Sequence, residues 1–174
     1  MSKVEKPIFS LEEVKVKLAS LNPRAELHGD DTKLAVDLKF SLTISNDVLS
    51  EFHPDLKSSL FKKSDGGELD LEAGHLSALR FPNFTSFKLS DELENYDLVV
   101  HYGIGGKSDI KLAQCQVDNF SFTAKEGGSV DMSMRVICHP KDTDIGKLCS
   151  MIQKEVDITL THDDETEVQE KIAA

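Results

Sequence analysis

A chain of 174 residues, 39% hydrophobic and 29% charged, has the size and mix of one globular domain that buries a core without cross-links. It carries 20 Lys and Arg against 31 Asp and Glu, a net charge of −11. No apolar run approaches the roughly 20 residues of a membrane helix, so composition excludes a disordered chain and a membrane-spanning helix.

The charge is unevenly placed. Residues 1–65 hold 10 basic and 11 acidic side chains, and residues 66–174 hold 10 and 20. Such an acidic body repels a phosphate backbone unless a local basic strip overrides it, and it can imitate nucleic acid toward a basic partner. Cys115, Cys138 and Cys149 are odd in number and widely spaced among apolar residues, which fits buried free thiols better than a disulfide framework or a zinc site. The opening "MSKVEKPIFS" has no secretory apolar region, and a cytoplasmic protein is expected.

In chain order, "SLEEVKVKLASLNP" fits a helix through Leu11, Val14, Leu18 and Leu21, with a Ser10/Glu13 capping box. It fits a strand equally well through Val14, Val16 and Leu18. The strand is favoured, because Asn22–Asp31 then becomes its connection to the next element. Residues 33–45 place Leu34, Val36, Leu38, Phe40, Leu42 and Ile44 on alternate positions, the period-two signature of a strand with one buried and one wet face. "HPDLKSSLFKKSDGG" is predicted to be a helix begun by Pro54 and Asp55, striped by Leu56 and Leu60, ended by Lys62 and Lys63, and stopped by Gly66 and Gly67. Residues 64–95 read as long loops around a short strand near "FTSFKL".

Further alternation runs through Tyr96, Leu98, Val100 and Tyr102. "DIKLAQCQVDNFSFTA" alternates but slips phase between Leu112 and Cys115 and again between Val117 and Phe120, the mark of bulges in a strand. Val130, Met132, Met134, Val136 and Cys138 form another strand, and Val156, Ile158 and Leu160 the last. Between these two, "DTDIGKLCSMIQKE" spaces Ile145, Leu148/Cys149 and Ile152 as a short helix. The sum is mainly β: an antiparallel β-sandwich or distorted barrel of about seven or eight strands with two short helices. Residues 1–162 are expected to form a single β-rich domain and 163–174 an acidic C-terminal tail.

"GIGGKS" ends like a phosphate-binding loop, yet the first glycine that G-x-x-x-x-G-K-[ST] requires falls on His101, and strand alternation rather than a helix follows Ser108. It is predicted to be a turn between two strands, its glycines supplying positive φ. The six histidines lack metal-ligand spacing, and "HGDD" with His28, Asp30 and Asp31 reads as a polar turn. "DTDIG" lacks the remaining ligands of a calcium loop, and no nucleophile elbow or electropositive cysteine is present in the sequence. No catalytic, cofactor or metal site is expected, and the protein is read as non-enzymatic.

Two binding surfaces remain. One is acidic: Asp91, Glu92 and Glu94, with Asp163, Asp164 and Glu165 of "DDETE". The other combines basic and aromatic residues in the manner of single-strand binders: Lys15, Lys17, Arg24 and Lys39, then Arg80, Phe81, Phe84 and Lys88 around "RFPNFTSFK". With no tryptophan in the chain, its nine phenylalanines are expected in the core.

With "NPRAELHGDD", the long alternating strand, "HYGIGGKSD" and "GKLCSMIQKEVDITL" in this order, the chain resembles a family of uncharacterised proteins encoded in bacteriophages and prophages. The resemblance spans most of the chain and carries turns and strands rather than a catalytic signature. It implies a small phage protein in a bacterial cytoplasm. The leading expectation is an accessory protein whose acidic surface occupies a basic nucleic-acid-binding surface of a host or defence protein, as a DNA mimic or anti-defence inhibitor. The alternatives are a single-stranded-DNA-binding replication or recombination accessory and a virion structural component. A membrane partner is not expected, and a homo-oligomer is compatible with either surface.

Overall fold

The computed structural model describes residues 8–64, 75–104 and 106–163. Nine strands are described: β1 (Leu11–His28), β2 (Asp31–Ser45), β3 (Phe61–Lys62), β4 (Ala78–Leu79), β5 (Phe87–Lys88), β6 (Leu93–His101), β7 (Ile110–Lys125), β8 (Ser129–Cys138) and β9 (Glu155–His162). Three short helices join them: α1 (Val48–Phe52), α2 (Leu56–Leu60) and α3 (Asp142–Ser150). Six strands pair antiparallel in the order β7-β6-β9-β1-β2-β8, and β8 pairs back onto β7. The sheet therefore closes on itself. Of the two architectures that the alternation allowed, the fold is the barrel, with β5 added beside β7 and β3 and β4 forming a separate two-stranded ribbon.

Alternation accounts for the closure. Val36, Leu38, Phe40 and Leu42 of β2 and Val130, Met132, Met134, Val136 and Cys138 of β8 are all buried inside. Both expected slips in β7 are bulges: Gln114 (φ 54°) and Asn119 (φ 52°) take the left-handed conformation, and each returns the following residue, Cys115 or Phe120, to the interior. One end of the barrel is filled by rings. Phe9 meets Phe120 edge-on at 5.5 Å, Phe52 meets Phe122 at 5.2 Å, and the Phe9 N–H donates to the Tyr96 hydroxyl at 3.2 Å. The other end is crossed by α3, whose buried Leu148 and neighbouring Met151 close it.

Several local expectations are corrected. Asn22–Asp31 is not a connection: β1 runs on to His28 and pairs with β2 through His28↔Asp31, with the turn at Gly29 (φ 65°). Because β9 pairs β1 only along Leu11–Lys17 and β8 pairs β2 only from Val36, the outer part of this hairpin projects beyond the barrel as an arm. Leu34 lies on the arm and is exposed rather than inward, as is Leu27 at 80%. The helix after His53 is one turn, ending at Leu60, because Phe61 is pulled fully inside and its extended backbone starts β3. An additional helix, α1, precedes it and buries Val48 and Leu49. Cys115 and Cys138 are buried as expected, but Cys149 on α3 is exposed, as is Ile152 just beyond. Phe81 and Phe84 are also outside the core, at 48% and 59% exposure.

The described residues of "GIGGKS" lie between β6 and β7, with a single 3-10 turn at Gly106–Ser108. Gly103 and Gly106 both sit at φ 65°, and Ser108 Oγ donates to the Tyr102 carbonyl at 2.6 Å. Among the described residues no group of His, Cys, Asp and Glu could hold a metal ion, and no helix is long and apolar enough to cross a membrane.

Candidate nucleic-acid interface

The outward residues of the alternating strands form a surface of their own. Reading the register across β1, β2, β8, β7 and β5 gives one continuous row: Lys17 opposes Ser41, Ser41 opposes Ser133, Ser133 opposes Ser121, and Ser121 opposes Lys88. Three serines are thus bracketed by two lysines. At the ~4.8 Å spacing of neighbouring strands the row is about 19 Å long. On one side lies the row Ser20–Lys39–Arg135–Asp118, and on the other Thr43–Asp131–Thr123. The surface is concave. Two depressions of about 630 and 380 Å³ share Ser121 and Ser133, so they form one strip with a hydroxyl floor.

The charges around this floor divide into two kinds. Arg135 grips Asp118 with two hydrogen bonds of 2.7 Å, and Asp118, only 4% exposed, holds the guanidinium in its charged form. Arg24 bonds Asp37 and Glu26, and Lys125 pairs with Asp131 at 3.4 Å. By contrast, Lys15, Lys17, Lys39 and Lys88 are solvent-exposed and make no ion pair among the described residues. Glu155 and Asp157 face Lys17 and Lys15 in register across β1 and β9 without closing onto them. The paired ions hold the wall of the strip in shape, and the four unpaired lysines leave their ammonium groups open to an anion, with Glu155 beside them as a carboxylate unpaired among the described residues.

Four of the eight basic and aromatic residues singled out in the sequence therefore meet on one surface: Lys15, Lys17, Lys39 and Lys88. Arg24 lies near them but is neutralised. Arg80 serves the scaffold, its Nε donating to the carbonyls of Ser58 (2.7 Å) and Phe61 (3.1 Å). Phe81 and Phe84 stack on each other at 4.7 Å on the loop before β5 and do not line the strip. Phe84 is four residues from Lys88, which keeps it within about 14 Å of that lysine along the chain.

The acidic set is partly assembled. Asp91 and Glu92 occupy the link between β5 and β6, Glu94 is the second residue of β6, and the Asp163 N–H donates to the Asn95 carbonyl at 2.7 Å, bringing the end of β9 beside them. Asp164 and Glu165 lie outside the described residues.

Sequence reading missed the serine and threonine floor and Arg135. The signal was present in "FSLTIS", "SFT" and "MSM", where every outward position is a hydroxyl, but which strands pair was needed to align them. It also missed a clamp at the β6–β7 turn: His101 Nδ1 lies 3.1 Å from Asp109 Oδ2 and Nε2 lies 2.9 Å from Thr159 Oγ1, while the Glu13 N–H donates to the same hydroxyl at 3.1 Å. Burial opposes the Asp109 charge, but the bonds to His101 and the Tyr102 N–H outweigh it and hold the carboxyl below the usual range. The clamp ties β6, β9 and β1 to the turn that enters β7, and His101 opposes Asp157, the residue that in turn opposes Lys15.

The fold and site together define an antiparallel barrel with a lysine-bounded, hydroxyl-floored exterior. Comparison with protein-family models, with curated proteins and with solved structures returned no match to this chain.

Proposed function

We propose that the chain binds single-stranded DNA across the exterior of the barrel, as a non-enzymatic replication or recombination accessory in a phage setting. One observation carries this reading: the Lys17–Ser41–Ser133–Ser121–Lys88 row, in which unpaired cations end a strip of hydroxyls. Ammonium groups attract phosphates, and hydroxyls hydrogen-bond to phosphate and sugar oxygens. The concentration of free lysines here overrides locally the repulsion expected of a chain at −11. The exposed Phe81–Phe84 stack offers a face for an unpaired base within reach of Lys88, which favours a single strand over a duplex.

The test is a fluorescence-anisotropy titration with a labelled oligothymidylate and a duplex of equal length, from low to moderate salt. The reading expects saturable binding of the single strand and weaker binding of the duplex. Four phosphate contacts give a log–log salt slope of roughly −3. Absence of binding at low salt defeats it.

A second reading keeps the acidic surface as the working part, docking on a basic host or defence protein. The junction of Glu94 with Asp163 through Asn95 favours it. The same titration separates the two, since a mimic of nucleic acid does not bind an oligonucleotide.

A further inference from the structure

A second basic depression, of about 450 Å³, lies beyond the end of β8 and shares no lining residue with the strip. Three separate stretches of chain build it. The β6–β7 turn and the start of β7 bring Lys107 and Lys111, the link into α3 brings His139 and Lys141, and α3 itself brings Lys147. Two carboxylates also line it. Asp109 is engaged by His101 and the Tyr102 N–H, and Asp144 reaches only Lys147, at 4.0 Å. Lys107, Lys111 and Lys141 are exposed and make no ion pair among the described residues.

Four lysines converging in one hollow of an acidic chain repel one another, and a bound anion removes that repulsion. The hollow is open for approach: Gly106 sits at φ 65°, and a Cβ built there meets no atom within 4 Å. His139 is held by Glu26 of the arm at 3.1 Å, which fixes one wall. Multiple ammonium donors with a threonine hydroxyl, Thr143, on the rim suit a tetrahedral oxyanion.

We infer that this hollow binds a phosphoryl group, using Lys107, Lys111, Lys141 and Lys147. The lysine of "GKS" thus contributes to phosphate binding without forming a phosphate-binding loop, because its partners come from β7 and α3. Two sources offer this chemistry: the terminal phosphate of a nucleic-acid strand, and a free phosphate or pyrophosphate. The inference does not depend on the strip reading.

The experiment follows backbone amides of Lys107, Thr143 and Asp144 by NMR while inorganic pyrophosphate is added at low salt. Saturable shifts there are expected, absent in a Lys107→Glu, Lys141→Glu variant and reduced in the milder Lys107→Gln. A second arm compares 5′-phosphorylated and 5′-hydroxyl oligonucleotides. A several-fold preference for the phosphorylated strand, lost in the variant, assigns the strand terminus. Pyrophosphate binding with no such preference assigns the free anion. If neither probe moves these amides saturably, or if the variants respond as the native chain does, the inference is overturned. Oligonucleotide binding at the strip, with these amides unmoved by both pyrophosphate and the phosphorylated strand, overturns it while sparing the strip.

Discussion

Lys39 stands directly opposite Arg135 across the β2–β8 pair, two cations on one face of the sheet. Arg135 is committed to Asp118, so Lys39 is the member without a carboxylate. Like charges in this position destabilise a sheet by a few tenths to about 1 kcal/mol. Replacing Lys39 by Thr removes the repulsion and introduces a good strand former. Lys39→Thr should therefore raise unfolding stability by about 0.5 kcal/mol in urea, while weakening oligonucleotide binding several-fold. A loss of both, or of neither, contradicts the role given to Lys39.

The two ends of the serine row give the stronger binding test. Lys17→Glu combined with Lys88→Glu reverses both, and single-strand affinity at low salt should fall at least tenfold. The salt slope should flatten by about 1.4, the share of two phosphates on a single strand. Both side chains are exposed, so far-UV circular dichroism should be unchanged.

Glu155 faces Lys17 in register and lines the same depression. It competes with a phosphate for that lysine. Glu155→Gln is expected to tighten oligonucleotide binding by a few-fold, most visibly at low salt where screening is weak. Unchanged or weakened binding in the titration places the phosphate path elsewhere.

The bulge at Gln114 is open to a stability test. A non-glycine residue at φ 54° carries about 1 kcal/mol of strain. Gln114→Gly should preserve or raise the thermal midpoint. Gln114→Val, whose branched side chain resists that conformation, should lower it by several degrees.

Thiol chemistry separates the three cysteines. Burial pushes the Cys115 thiol up to about 12 and raises Cys138 further, so neither offers a thiolate near neutral pH. Cys149 is exposed on α3. Titration with a chromogenic disulfide at pH 8 should show one fast equivalent, abolished by Cys149→Ser, and two more only in denaturant.

The β architecture was legible because it rests on local alternation. The slips at Gln114 and Asn119 could be read directly, since a bulge moves the next apolar residue by one position. The arm was not legible: past Ser20 the alternation of β1 fades, because residues beyond the barrel have no interior to face. Phe81 and Phe84 broke the expectation that phenylalanine is core, since each covers the other instead. The lysine and serine row was out of reach for a different reason. Its members lie at positions 17, 41, 88, 121 and 133, and only the closure of β8 onto both β2 and β7 sets them side by side.

The arm has a consequence for how this molecule behaves in company. A closed barrel offers no template for strand addition, but beyond Ala19 on β1 and before Val36 on β2 no strand among the described residues pairs with either outer margin of the hairpin. Fibre growth or chain exchange at high concentration would begin there. Pro23, which has no N–H to give, and the ions Arg24, Glu26 and Lys33 stand guard along that ribbon. Replacing them with valine or threonine would turn a discrete particle into an adhesive one.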